Sequence, residues 1–549
     1  MNLITGRINW NANLSENIQE KSGFENGHLK LSVQKFHNFV YDEKPYIYNE
    51  TDKTLCSVIG YVSNLEDIRH RYSINETDVE AVVERLYINE GIKVLSELDG
   101  VFLVFIYDEN AQKGYLAQSE HGFGLPIYYR LVNGGVVFST SLKQLLKQTP
   151  SHRKLNIRAV RDFLYYGSVI PNESTLIENI YKLLATYYLE FDWTAHSTRI
   201  KKMKAETRRD SRRTAKDSLI KSIDNSINNL YKSLKDDNIS LTLTGGWDSN
   251  YILFNLSKLT DSQIKAITID GGGAKNEVPA ARLLLENYKN VEHLTGEVGE
   301  NATNLLPDMV WRYDGYVFQE GMFLRYELAK ILSEAGSKLV ILAACADQIL
   351  YQRPLFVRIY KKLEQLYIIK NYRGDRLSRN EFKFRRGSIT PTVNVVQDLE
   401  IEYLLKMHDV MNNSFGVQSI YPFLDKNILS ICKSLGIQNR RKQFYKSELR
   451  KILDPEITQH MEKSGSVVDT YQMFNSNKNK LIGIIDTPLV GEILTKNQIN
   501  QLKRKPSSYH LFIMQMVYIY LFNELFVSGN YDADFGKMNL NLALESFSF

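Results

Sequence analysis

The residues most able to do chemistry are Thr244-Gly245-Gly246-Trp247-Asp248-Ser249, set between the apolar run ISLTLT and the helical pattern NYILFNLSKL. Two glycines let a backbone turn tightly and approach a ligand closely, and the exposed amides at a helix N-terminus, with nearby hydroxyls, bind phosphate oxygens. The segment therefore predicts a nucleotide-phosphate cradle. It is not a Walker A loop, because the lysine of that motif is missing. The carboxylate of Asp248 is expected instead to hold a magnesium ion that neutralises the triphosphate. Taken alone, the segment also fits a plain strand-to-helix turn.

The elements around the loop follow an alternating grammar. After a helix over residues 217–234 come the strand ISLTLT, a helix, the strand IKAITID, the long helix LRYELAKILSEA and the strand KLVILAACA. Strands alternating with helices predict a parallel sheet whose ligands bind at its C-terminal edge. Residues 55–146 read differently, as short apolar strands (LCSVIGYV, GVFLVFIYD, KGYLAQS, PIYYRLV, GVVFST) with one helix, TDVEAVVERLYINEGIKVLSEL, capped by Thr77 and Asp78. A layered α+β domain ending near residue 197 is expected. The final two hundred residues are helical by pattern.

A chain of 549 residues exceeds one core, so separate domains are expected. The formal charge is only +5, and much of the excess sits in residues 199–213, RIKKMKAETRRDSRR. That stretch reads as a basic linker over residues 198–215, and no nucleic-acid partner is expected. Cys56, Cys345 and Cys432 are too few and scattered for a disulfide framework or a thiolate metal site, which fits a reducing cytoplasm. No secretory signal is read at the N-terminus. LFIMQMVYIYLFNELF is apolar enough to suggest a membrane span, but it is short and carries Gln515, Asn523 and Glu524, so a buried core helix is the better account.

The loop resembles the SGGxDS pyrophosphate loop of the asparagine synthetases, and further landmarks follow in that family's order. Lys275-Asn276-Glu277 with PAARLLLENY resembles the acidic segment and helix after the second strand. Ala346-Asp347-Gln348 resembles the second magnesium motif, Tyr421-Pro422-Phe423-Leu424-Asp425 the Arg-x-Pro-Phe-Leu-Asp segment, and KSELR (residues 446–450) the Lys-x-x-Leu-Arg helix. Lys463, in PEITQHMEKSG, falls where the family has a lysine facing pyrophosphate. The resemblance implies that Thr244, Gly245, Gly246, Asp248, Ser249, Asn250, Ile269 and Gly271 bind ATP, that Asp248 and Asp347 hold magnesium, and that Lys463 and Asp347 are catalytic. For Lys463 alone, a solvated surface lysine is the plainer reading.

The first half resembles the family's glutaminase domain through IGYVSN, ETDVEAV, ELDGVF and GVVFSTSLKQLL. The implied architecture is an Ntn-hydrolase-like αββα sandwich over residues 1–197. Residues 216–549 would then be a PP-loop (ATP-pyrophosphatase) parallel-sheet domain with extra helices, giving a mixed α/β and α+β chain. Glutaminase chemistry is expected to be lost. Asn2 stands in place of the nucleophilic cysteine, Ile59 in place of an amide-binding asparagine, and Ala117-Gln118-Ser119 in place of Ala-Arg-Asp. Cys56, inside an apolar strand, reads as a packed thiol.

The implied reaction is adenylation of a carboxylate with ATP, releasing pyrophosphate, followed by attack of an amine. Ala344 occupies the position where relatives carry a glutamate or tyrosine that assists amine deprotonation. Glu320 or Asp314 is the expected substitute, unless the amine arrives neutral; a structural role suits each acid equally. A silent glutaminase domain suits the lasso peptide macrolactam synthetases, whose partners would be a precursor peptide and a leader-peptide protease. Open beside that reading are a ligase using ammonia or a small amine and a scaffold that binds nucleotide without turnover. Tyr351, Phe356, Tyr360 and Tyr367 read as core aromatics or as the lining of a peptide groove.

Overall fold

The computed structural model describes residues 1–10, 18–20, 22–120, 122–150, 153–165, 170, 172–203, 212–235, 238–315, 318–350, 397–435, 442–458, 461 and 467–528. Tyr351, Phe356, Tyr360, Tyr367 and Lys463 lie outside these residues.

The first two hundred residues build two antiparallel sheets. One runs in the order Tyr181–Lys182, Tyr128–Val132, Gly135–Ser139, Leu3–Asn9, Leu29–Gln34, Gly23–Glu25, Ile18–Glu20. The other runs Ser197–Lys202, Tyr187–Asp192, Lys113–Gln118, Gly100–Asp108, Thr54–Val62, Ile47–Asn49. The sheets meet face to face on aromatic rings, with Phe138 of the first 5.4 Å from Phe105 and 5.8 Å from Phe191 of the second. Helix Val79–Glu90 covers the outer face of the second sheet with Val82, Val83 and Leu86, and Asp78 caps it by accepting from the Glu80 amide. Helix Leu142–Gln148 covers the first. Buried on both faces, Thr54–Val62 and Gly100–Asp108 read as continuous apolar runs, each large side chain contributing roughly 1.5–3 kcal/mol. This is the expected αββα sandwich.

Ser197–Lys202 pairs with Tyr187–Asp192 and carries Arg199, Lys201 and Lys202 outward from the sheet edge, Lys201 in a salt bridge to Glu190. The start of the expected linker is therefore the sandwich's last strand, an edge strand on which Arg199 and Lys202 are exposed. At the other end, helix Arg212–Ser233 begins inside the expected linker.

The second half is built on five parallel strands in the order Val291–Glu297, Ile264–Asp270, Ser240–Thr242, Leu339–Ile341, Gln418–Ile420. ISLTLT and KLVILAACA are strands for only three residues each; the chain then peels away to form loops. The apolar C-terminal stretch becomes helix His510–Phe522, and every residue from 511 to 522 is buried in the core. Among the described residues one segment, Pro506–Val527, is long and apolar enough to cross a membrane, and it contains this helix.

The halves are joined by polar contacts with specific partners. The Asn2 amide donates to Asn413 Oδ1 (2.7 Å), Asn38 Nδ2 to Gln418 Oε1 (2.8 Å), and the Lys426 amide to Asp99 Oδ2 (2.8 Å). The Tyr421 amide donates to the Tyr61 hydroxyl (3.0 Å), and the Ala185 amide to Glu402 Oε2 (3.1 Å).

Candidate active site

The sheet's winding order fixes where a ligand can enter. From the central strand Ser240–Thr242 the chain moves outward through Ile264–Asp270 and Val291–Glu297, then returns to the other side of the centre at Leu339–Ile341. That reversal leaves a crevice at the carboxyl ends of Ser240–Thr242 and Leu339–Ile341. These strands are paired, Ser240 with Val340 and Leu241 with Ile341, so the loops that leave them are neighbours.

Thr244-Gly245-Gly246 forms one lip and leads into helix Trp247–Leu259, with Asp248 in its first turn. The loop is held by its own side chains. Ser249 Oγ lies 3.0 Å from Thr244 Oγ1, the Gly246 amide donates to Thr244 Oγ1 (3.2 Å), and Asn250 Nδ2 reaches the carbonyls of Thr244 (3.0 Å) and Gly246 (2.6 Å). No side chain caps the helix N-terminus, where the amides and the positive end of the dipole gather. Gly246 keeps an ordinary extended backbone, so conformational freedom is not what the turn draws from it. A Cβ there would meet Thr244 Oγ1 at 3.1 Å, so its use is close approach.

Residues 342–345 form the other lip and lead into helix Ala346–Leu350, with Asp347 in its first turn. Cys345 turns this corner in the left-handed region at φ +70°, an uncommon conformation for a residue with a Cβ. The two predicted acids thus stand at equivalent places on adjacent helix starts. Magnesium takes one or two protein carboxylates and completes its shell with water and substrate phosphates, so this donor set fits it. Among the described residues no cluster of three or more metal-ligating side chains is present.

The other predicted positions are distributed around this centre. Ile269 is half-buried near the end of its strand. Gly271 is covered by the chain itself, since a Cβ there would lie 2.4 Å from the Val467 carbonyl oxygen. The Asp469 amide donates to the Gly271 carbonyl (3.3 Å), and Gly272 bridges to Val468. The segment just after Lys463 is therefore pinned to the sheet edge beside the crevice. Asn276 donates to the Asp270 carboxylate and fixes the loop before helix Val278–Leu285.

Three features were not read from the sequence. Lys446 and Arg450, one turn apart on helix Lys442–Ile452, both hold their cations 5.2 Å from the ring of buried Trp247. That places two positive charges beside the phosphate loop; the Lys-x-x-Leu-Arg spacing was the available signal, without a role attached. Tyr445 is buried near Asp248: burial first, then that carboxylate, pushes its phenol well above the ordinary value. Asp409 accepts from the Tyr421 hydroxyl (2.5 Å), and burial pushes its carboxyl up to about 7 against the lowering effect of hydrogen bonds with Ser419 and Tyr421.

Asp314, considered above as a base or a structural acid, is held in a structural role. Its carboxylate accepts from the Leu142 amide (2.8 Å) and pairs with Lys143, joining the second half to the first turn of helix Leu142–Gln148. Glu320 is half-buried just before helix Met322–Glu334.

In the sandwich, Asn2 is buried, with its Oδ1 accepting from the Phe36 amide (3.0 Å) and its carbonyl accepting from Asn413 Nδ2 (3.2 Å). Beside it lies a cavity of about 20 Å³, lined by Gly60, Tyr61 and Phe123 among others, which is room for one water and not for a glutamine side chain. Cys56 is fully buried and its thiol is pushed well up by burial, with Glu80 and Glu84 adding to the effect.

Comparison with known proteins agrees with this division. Residues 15–202 match the glutamine amidotransferase domain family and residues 223–480 the asparagine synthase family. The chain belongs to the asparagine synthetase-like family. Within this family, it is 25% identical over 186 residues to asparagine synthetase [glutamine-hydrolyzing] 2 of Bacillus subtilis, covering 33% of this chain and 24% of that protein. It is 26% identical over 171 residues to amidase chry2 of Gibberella zeae, covering 30% and 24%. The matched segment thus spans about a quarter of each relative. Among solved structures, the Bacillus subtilis glutamine phosphoribosylpyrophosphate amidotransferase with ADP and GMP aligns at 8% identity and TM-score 0.25, over 62% of this chain and 75% of that one. The U34-tRNA thiolase NcsA of Methanococcus maripaludis aligns at 15% identity and TM-score 0.22, over 48% and 80%.

Proposed function

We propose that this chain is an ATP-dependent, AMP-forming ligase that adenylates a substrate carboxylate and couples it to an amine. The observation that carries the reading is the pair of helix starts bearing Asp248 and Asp347, on the two lips of one crevice beside the Lys446–Arg450 cation pair.

Attack of a carboxylate on the α-phosphorus is opposed mainly by charge, so positioning and positive electrostatics are what the protein must supply. A bound magnesium ion would neutralise phosphate charge between Asp248 and Asp347. The uncapped amides of helix Trp247–Leu259, with the Thr244 and Ser249 hydroxyls, hold the departing pyrophosphate. Lys446 and Arg450 raise the local potential, and Lys463 is assigned to the same group. The amine then attacks the acyl carbon, an amide forms and AMP leaves.

The amine is assigned to the substrate itself, giving a peptide macrolactam from an N-terminal amine and an Asp or Glu side chain. The small cavity at Asn2 supports a donor other than glutamine hydrolysed in the sandwich. A precursor peptide and a leader-peptide protease are the corresponding partners. The second reading, a ligase using ammonia or a small amine, is favoured by the same cavity. Incubation with ATP, magnesium and peptides bearing an acidic residue near the N-terminus separates them. Loss of one water from the peptide by mass supports cyclisation, whereas ammonium-dependent pyrophosphate release without peptide supports the small-amine ligase and overturns the peptide assignment.

A further inference from the structure

Between helices Met322–Glu334 and Gln397–Ser414 lies a polar cluster that the proposed chemistry above does not use. Arg325 enters it from the first turn of its helix. Its Nη1 donates to the Gly321 carbonyl (2.7 Å), while its Nε is buried and meets no acceptor. Its neighbours include the neutral phenols of Tyr313, Tyr403 and Tyr421, and burial lowers the guanidinium pKa from its usual value. Among the described residues no carboxylate pairs with it. Two further groups are buried without hydrogen-bond partners: the Tyr403 hydroxyl and His408 Nδ1. Burial and then Arg325 hold His408 well below its ordinary pKa, so its imidazole is neutral. Tyr313, by contrast, is satisfied by the Met407 carbonyl (3.0 Å).

The three side chains are half-buried, but Arg325 Nε, the Tyr403 hydroxyl and His408 Nδ1 are each buried without a partner, and every such unmet polar atom costs free energy. Such a group persists where a ligand supplies the missing charge. The cluster also lies at the ligand edge of the sheet: Tyr421 is the first residue after strand Gln418–Ile420, and its phenol feels Cys345, two residues before Asp347. Right-handed crossovers place helix Trp247–Leu259 on one sheet face and Met322–Glu334 on the other. Arg325 therefore approaches from the face opposite Lys446 and Arg450, which suits the acyl substrate better than the triphosphate.

We propose that Arg325, with Tyr403 and His408, is a carboxylate-binding subsite that anchors the acyl substrate of the ligase. This rests on the ligase reading for its role, though not for its test. A planar carboxylate complements the guanidinium fork in a bidentate pair, and the Tyr403 hydroxyl and a neutral His408 can complete its hydrogen bonds.

The test uses the full chain without turnover. Melting temperature is followed on titration with sodium acetate, L-aspartate or L-glutamate against sodium chloride at equal ionic strength, and separately with magnesium ATP. The wild type is expected to be stabilised by at least one of the carboxylates beyond chloride. Arg325→Met should melt at an equal or higher temperature without ligand, because a buried donor without an acceptor has been removed, and should lose apparent carboxylate affinity by about tenfold or more, with its ATP response unchanged. Tyr403→Phe should weaken the carboxylate response and leave the melting temperature in place. The proposal is overturned if the wild type shows no carboxylate-specific shift, if the shift survives in Arg325→Met, or if that variant loses stability or its ATP response instead.

Discussion

Asp248 and Asp347 have equivalent positions, each the second residue of a helix that follows a paired parallel strand, and the proposed role of both is to hold one metal-bound triphosphate. Asp248→Asn and Asp347→Asn should each lower ATP–pyrophosphate exchange by about 100-fold or more while circular dichroism stays unchanged. Exchange within a few-fold of wild type in either variant removes that residue from the site. These residues were legible because the loop and the second motif are local strings. The cation pair over Trp247 was not, because residues 446 and 450 meet residue 247 only through tertiary packing. For Asp314 the sequence left a base and a structural acid open, and the contacts with Lys143 and the Leu142 amide, from the other domain, favour the structural one. Asp314→Ala should cost about 1–3 kcal/mol in urea unfolding without lowering pyrophosphate exchange per folded molecule.

At the scale of elements, the central strands were readable and the edges were not. Thr54–Val62 and Gly100–Asp108 are apolar runs because both faces are covered, whereas Val291–Glu297 is half-exposed along its length and Gln418–Ile420 is only three residues long. The strand Ser197–Lys202 was hidden by its charge, which marks an edge face in solvent. The connection between Gly271 and residues 467–468 is a tertiary contact without a sequence period, yet it sets the segment that follows Lys463 against the crevice. Gly271→Ala should therefore destabilise by about 1–3 kcal/mol and lower exchange activity more than stability alone explains. Calorimetry and the exchange assay on one preparation check both parts; an unchanged melting temperature would show that the Val467 carbonyl can give way.

At the scale of the whole molecule, the sandwich is bound to the synthetase half by a dense set of polar contacts, so its retention has a structural basis independent of glutamine hydrolysis. Asp409, beside Gly124 of the sandwich, gives this interface a pH signature. Burial raises its folded pKa from 3.8 to about 7. The folded protein thus binds a proton that the unfolded chain releases between those values. The corresponding stability is full below about pH 4 and is lost as pH rises towards 7. Asp425, pushed upward by burial and then by Asp99, contributes in the same direction. Urea unfolding from pH 4 to 7 should show a shallower decline in Asp409→Asn than in wild type; parallel curves would contradict the assignment. Adenylation is tested most directly by the fate of α-labelled ATP with magnesium and a cyclisable acidic peptide. Labelled AMP and pyrophosphate should appear in step with amide formation; ADP and orthophosphate as the products would contradict an AMP-forming ligase.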